Sequence, residues 1–266
     1  LSQPQVITDA KLIEQFAKKA MEEPEVQIKT RAPSESEVKL PGGFINKAGE
    51  LVTTAEVREL TGADEEAIAK AGTIGKSLNV LLQRGLMSLG SEEVSKDDLD
   101  TLLSGDRDAI LIGVRRVTFG NTISIPVQCR SCRQEDNATI DLVADVPERK
   151  LDDPIQDRSW MVETTRGVVR VVLPNGVVQK KLMENMDKTS AEINTLLLSG
   201  CIVSIDGSPS VGASTALSLS MADRAKIIDQ ILDRNPGPRL GEVTKVCKAC
   251  GETMELPLSL VDLFRL

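Results

Sequence analysis

The sequence predicts an α+β protein built from two pseudo-repeats of helices and β-hairpins, joined by a shared zinc-ribbon-like four-cysteine site. Three observations predict it. Four of the five cysteines stand in two C-x-x-C pairs, Cys129/Cys132 and Cys247/Cys250. Around each pair the apolar residues change from helical spacing to strict alternation. Similar short segments precede both pairs in the same order along the chain.

The elements follow in turn. Over residues 8–22, Leu12, Ile13, Phe16, Ala20 and Met21 share one helical face, Thr8 or Asp9 can cap it and Pro24 stops it. Residues 24–37 are polar and proline-containing, which predicts an exposed connector. Residues 1–37 thus form an N-terminal helix and connector, 38–150 a first pseudo-repeat and 151–266 a second. Leu40-Pro41-Gly42-Gly43 matches Leu173-Pro174-Asn175-Gly176, and the helix start at Gly62-Ala63-Asp64-Glu65-Glu66 matches Lys188-Thr189-Ser190-Ala191-Glu192. Leu81-Leu82-Gln83-Arg84-Gly85 matches Leu196-Leu197-Leu198-Ser199-Gly200, and Asp106-Arg107 matches Asp223-Arg224, each aspartate expected near a helix N-terminus. The middle matches less closely, with extra residues in the first half around Gly72 and Gly75. Ser95-x-x-Asp98 and Ser220-x-x-Asp223 have the spacing of a capping box. Ile227, Ile228, Ile231 and Leu232 form a helical stripe that Asn235-Pro236-Gly237-Pro238 ends. Ile123, Ile125, Val127, Ile140 and Leu142 alternate as strands around one cysteine pair, as do Met254, Leu256 and Leu258 beside the other. Between the halves, the valine-rich stretch 161–178 reads as a β-hairpin, with turn signals at Arg166-Gly167 and Asn175-Gly176.

Composition excludes several functions. The chain of 266 residues is long enough for one large or two small cores. It has four Phe, one Trp and no Tyr, too few aromatics for a base-stacking platform. Its net charge of −8 opposes binding to phosphate backbones or anionic membranes. Histidine is absent, which removes the commonest general base and the commonest metal ligand. No apolar run is long enough to span a membrane. The first residues show no signal-peptide pattern, so the cysteines are expected in a reducing compartment.

Such cysteines read as metal ligands. A tight C-x-x-C turn presents two sulfurs while backbone N–H groups point at them, and two such knuckles complete the thiolate tetrahedron that structural zinc prefers. Gly251, directly after the second pair, suits a turn through positive φ. Arg130, Arg133, Lys245 and Lys248 are placed to offset the negative charge of a zinc–thiolate centre. The pairs lie much farther apart than in a compact zinc ribbon. A repeat explains this, each half giving one knuckle to a shared ion, against the alternatives of two separate dithiols or a redox pair. Redox pairs of the thioredoxin type open a helix, whereas these lie between strands. Cys201, before Ile202-Val203, is expected as a small buried apolar residue.

Nothing else carries chemistry. Gly75-Lys76-Ser77 resembles the tail of a phosphate loop, but Lys70 stands where the motif needs glycine. The acidic groups at Glu22/Glu23, Asp64–Glu66, Asp97/Asp98 and Asp152/Asp153 are expected at helix starts and connectors. No catalytic constellation can be assembled, so no enzyme is expected.

The stretch from Val38 through Arg58-Glu59-Leu60-Thr61-Gly62-Ala63-Asp64-Glu65, the two cysteine pairs and Leu263-Phe264-Arg265-Leu266 resemble the T4-type baseplate protein family of contractile-tailed bacteriophages. The resemblance implies a structural component of the virion tail or baseplate, in hub or wedge, made in the host cytoplasm, or a factor that assembles one. Its partners would be other tail proteins, met through the N-terminal helix and the apolar Leu263, Phe264 and Leu266. The alternatives are a tail-assembly chaperone that leaves the particle, and a zinc-ribbon nucleic-acid binder using Arg130, Arg133, Lys245 and Lys248.

Overall fold

A computed structural model describes residues 36–264. The helix expected over 8–22, the connector as far as residue 35, and Leu266 lie outside the described residues. Within them the fold is α+β, as its sequence pattern predicts.

Strand β1 (Glu37–Ile45) alternates inward Val38 and Leu40 with outward Glu37 and Lys39, and pairs antiparallel with β2 (Leu51–Val57). Helices α1 (Gly62–Ala69) and α2 (Ile74–Gly85) follow, then the hairpin β3 (Leu86–Leu89) and β4 (Glu92–Glu93). Helices α3 (Lys96–Thr101) and α4 (Ser104–Phe119) lead to a two-stranded hairpin, β5 (Thr122–Gln128) and β6 (Glu135–Asp141). After the short β7 (Glu148–Arg149), the hairpin β8 (Ser159–Thr164) and β9 (Gly167–Val172) precedes α5 (Gly176–Met183) and α6 (Ser190–Cys201). Then come β10 (Ile202–Ile205), β11 (Ser208–Pro209), α7 (Ala213–Ser218) and α8 (Met221–Arg234). The chain ends in β12 (Gly237–Pro238), a 3-10 turn, the hairpin β13 (Thr244–Val246) and β14 (Thr253–Glu255), and α9 (Leu260–Phe264).

The two halves lay down the same elements in the same order. Their four-stranded sheets run β1-β2-β3-β4 and β8-β9-β10-β11. Helices α2 and α6 are each 12 residues long, each capped by a threonine, Thr73 or Thr189, and each passes directly into a strand. The sheets share an irregularity. In one, Glu56 faces Ser88 and Val57 faces Leu86, so Met87 is extra. In the other, Arg170 faces Ser204 and Val171 faces Ile202, so Val203 is extra. An unpaired extra residue is the signature of a β-bulge, and here both are exposed and apolar.

These correspondences alter two sequence matches and one expected turn. Leu40–Gly43 lies within β1, whereas Leu173–Gly176 runs from the end of β9 into α5. Asn175-Gly176 is therefore not a hairpin turn: the Asn175 side chain accepts from Val178 N and caps α5. Gly62 opens the first helix of its half and Ser190 the second of its own, so those two starts are not equivalent. The Asp-Arg match does coincide, since Asp106 and Asp223 are each the third residue of their helix.

Packing does not follow the sequence halves. One core gathers Val38, Leu81, Ile110, Val114 and Ile140 with Val243, Leu256, Leu258, Leu260 and Leu263 from the end of the chain. The other holds Trp160, Val169, Val171, Leu198, Cys201, Ile227 and Ile231, plugged by Leu103 from the first half. Leu263 is only 2% exposed, and its carbonyl accepts from Arg115 Nε at 2.8 Å. The expected use of Leu263 for docking a partner is thereby corrected, because its apolar surface is spent inside its own chain, and Phe264 packs against the same core. The halves meet at Arg107, which is held in its own half by Nη1 donating to Leu99 O and Nη2 to Asn79 Oδ1, both at 2.6 Å, and reaches across to the second half through Nε to Gln179 Oε1.

Candidate metal centre

Each cysteine pair sits at the tip of a hairpin, between β5 and β6 or between β13 and β14. The two tips are built alike. Cys129 N donates to Gln134 O at 3.0 Å and Arg133 N returns to Cys129 O at 2.9 Å. Cys247 N donates to Glu252 O at 2.8 Å and Gly251 N returns to Cys247 O at 2.9 Å. The residue after each second cysteine turns through positive φ, +60° at Arg133 and +76° at Gly251. Glycine makes that turn without a steric penalty, and Arg133 makes it against one.

The fold brings all four predicted residues together. The sulfurs of Cys129, Cys132, Cys247 and Cys250 lie within 4.8 Å of one another. Cys129 Sγ is 3.7 Å from Cys250 Sγ, and Cys132 Sγ is 3.7 Å from Cys247 Sγ. A disulfide needs about 2.0 Å, so these are free thiols. Zinc–thiolate bonds of about 2.3 Å in a tetrahedron place neighbouring sulfurs about 3.8 Å apart, which both cross-hairpin pairs match. Four soft donors with no oxygen ligand suit zinc rather than a hard cation. The cluster is capable of coordinating a metal ion.

Its electrostatics agree with that use. The backbone N–H groups of Cys132 and Ser131 point at Cys129 and draw its thiol down to about 7. The Glu252 N–H favours the Cys250 thiolate, but the sulfurs of Cys132, Cys247 and Cys129 outweigh it and push Cys250 up to about 12. Four thiolates this close need a cation among them.

Two expectations change. The hairpins form separate two-stranded sheets, so the cysteines do not sit on a single zinc-ribbon sheet. Lys245 pairs with Asp145 and Lys248 with Asp136, 3.0 Å away. Both lysines therefore tie one hairpin region to the other, while Arg130 and Arg133 stay exposed beside the sulfurs. Cys201 is no ligand: it is fully buried in the second core, and burial pushes its thiol up to about 12. The buried Arg107–Gln179 contact had no sequence signal, since neither residue type announces burial. Among the described residues, no helix is long and apolar enough to cross a membrane.

Fold and site together define an α+β protein with a cysteine cluster able to hold a metal ion. The chain belongs to the T4 bacteriophage base plate protein family, whose model matches residues 49–265. No curated protein and no solved structure matches it. Membership makes the role structural and non-enzymatic, in the viral tail.

Proposed function

We propose that this protein is a built-in component of the phage baseplate, made of two copies of one folding unit whose knuckles share a single structural zinc. Cys129, Cys132, Cys247 and Cys250 hold the ion, and its partners are other tail proteins. The observation that supports this reading is the cysteine cluster itself, drawn from two hairpins of like construction, one near the middle of the described chain and one near its end. An ion held there fixes both hairpin tips at once, and zinc supplies rigidity without redox chemistry. Synthesis in a reducing host cytoplasm keeps the four thiols available for it.

A nucleic-acid role is disfavoured, because Lys245 and Lys248 are committed to carboxylates and the net charge is −8. Mass spectrometry of purified tails tests the main reading. The protein is expected in the finished particle at a fixed ratio to its neighbours. Its presence in assembling tails but absence from finished ones would make it an assembly factor.

A further inference from the structure

The junction between the halves is an interface whose two sides each have a counterpart elsewhere in the chain. One side is the start of α5. Pro174 O accepts from Ser104 N and Gly176 N donates to Leu102 O, both at 2.9 Å. Arg107 Nε donates to Gln179 Oε1. The fit requires glycine, since a Cβ on Gly176 would lie 2.2 Å from Leu99 O. The other side is the α3–α4 corner that carries Leu99, Leu102, Ser104 and Arg107.

The counterpart of that corner is the α7–α8 corner. Arg107 Nη1 donates to Leu99 O, and Arg224 Nη1 donates to Ala216 O at 2.9 Å, each eight positions back. Arg107 Nη2 reaches Asn79 on α2, and Arg224 Nη2 reaches Thr195, 2.9 Å away, at the same place on α6. The first corner is covered: Ser104 is 7% exposed and Asp100 pairs with Lys180. At the second, Met221 and Leu217 hold those two positions and are 89% and 67% exposed. Arg224 bonds through Nη1 and Nη2 only. Its Nε, the atom that holds Gln179 in the first corner, has no partner among the described residues.

The counterpart of the α5 start is the start of α1. Both helices leave the second strand of their sheet, and both open on a glycine, Gly62 or Gly176. A Cβ on Gly62 would meet nothing within 4 Å. Glu65 stands in α1 where Gln179 stands in α5, and it is exposed.

We propose that a second copy of the chain docks head to tail, the α1 start of one copy seating on the α7–α8 corner of the next. Gly62 takes the place of Gly176 against the Ala216 carbonyl. The Glu65 carboxylate accepts from Arg224 Nε with opposite charge, a stronger pairing than the amide it mirrors. Leu217 and Met221 are covered, which removes two large apolar side chains from water. The two surfaces differ, so the contact is heterologous and builds a ring or an open filament. This inference rests on the geometry of the halves and not on the baseplate or zinc readings.

Sedimentation velocity of the full chain over rising concentration tests it, with Gly62→Leu and Met221→Asp alongside. Both positions are exposed in the single chain, so circular dichroism and melting of the variants should match the parent. The parent is expected to form species larger than a dimer, and each variant to associate about tenfold more weakly or worse. An equal mixture of the two variants restores one good contact and should give a 1:1 dimer that grows no further. A parent that stays monomeric at every soluble concentration overturns the proposal. Association that survives both substitutions, or a mixture that fails to pair, overturns it equally.

Discussion

Helices α4 and α8 hold the same place in their halves, and each carries an aspartate as its third residue, yet the two carboxyls are driven in opposite directions. Asp223 accepts from Thr165 Oγ1 at 2.5 Å and from Ser220 Oγ at 2.7 Å. Those hydroxyls hold it below the usual carboxylate range. Asp106 is 0% exposed, takes 2.7 Å from Gly42 N on Oδ1, and has no partner on Oδ2. Burial pushes it up to about 7, against the pull of the Gly42 N–H and of Arg158, and with Glu148 adding to the rise. The cause is the junction. Where α8 begins on the capping serine Ser220, α4 begins on Leu103, whose side chain fills the second core. Directly beside it, a Cβ on Gly105 would lie 1.5 Å from Pro236 O. One helix start is thus buried where the halves join, whereas at its equivalent Met221 is 89% exposed and Asp223, itself only 7% exposed, is satisfied by hydroxyls.

The largest expected effect separates the two arginines. Arg107→Ala strands Leu99 O, Asn79 and Gln179 in a buried setting and should cost about 3–5 kcal/mol. Arg224→Ala, at a half-open corner, should cost about 1–2 kcal/mol. Equal losses in urea unfolding would break the comparison.

The aspartates should differ in sign. Asp106 has its folded pKa raised, so the unfolded chain ionises first. Stability then falls as pH climbs from the ordinary carboxylate range to about 7, by on the order of 4 kcal/mol. In Asp106→Asn that fall should vanish from the unfolding free energy measured between pH 4 and 8. Asp223 has its folded pKa lowered, so its contribution is present above the carboxylate range and lost on acidification. Asp223→Asn should destabilise at neutral pH and match the parent in acid. Parallel pH profiles for both variants would show that the two environments are alike after all.

The smallest effect contrasts the glycines. Gly176→Ala drives a methyl into Leu99 O and should cost about 1–3 kcal/mol. Gly62→Ala, with open space around it, should stay within about 0.5 kcal/mol. Thermal melting of the pair would sharpen or dissolve the difference.

Particular residues show how much of this was readable in advance. The cysteine pairs were legible because a thiol turn has a fixed local spacing, and the Asp-Arg pairs because each stands at the same helix position. The repeat register was misread where local chemistry recurs at non-equivalent places. Capping boxes stand at Thr61/Asp64 on α1 and Thr189/Glu192 on α6, the first helix of one half and the second of the other. The true equivalent of α6 is α2, where Thr73 caps but Lys76 sits at the box position. The two Leu-Pro tetrapeptides likewise serve different ends, Gly43 at +69° within the irregular β1 and Gly176 under the Leu99 carbonyl. The bulges at Met87 and Val203 carry no glycine and left no signal. Leu263 looked available because a chain end gives no hint of which core lies beneath it.

The central claim is that one ion joins the two knuckles, and metal stoichiometry on the purified, folded chain tests it most directly. Elemental analysis should find one zinc per chain, and Cys129→Ser and Cys247→Ser should each lose that same ion, since each half supplies part of its shell. Two zinc ions per chain, no zinc in folded protein, or a full complement retained when one knuckle is removed would contradict it.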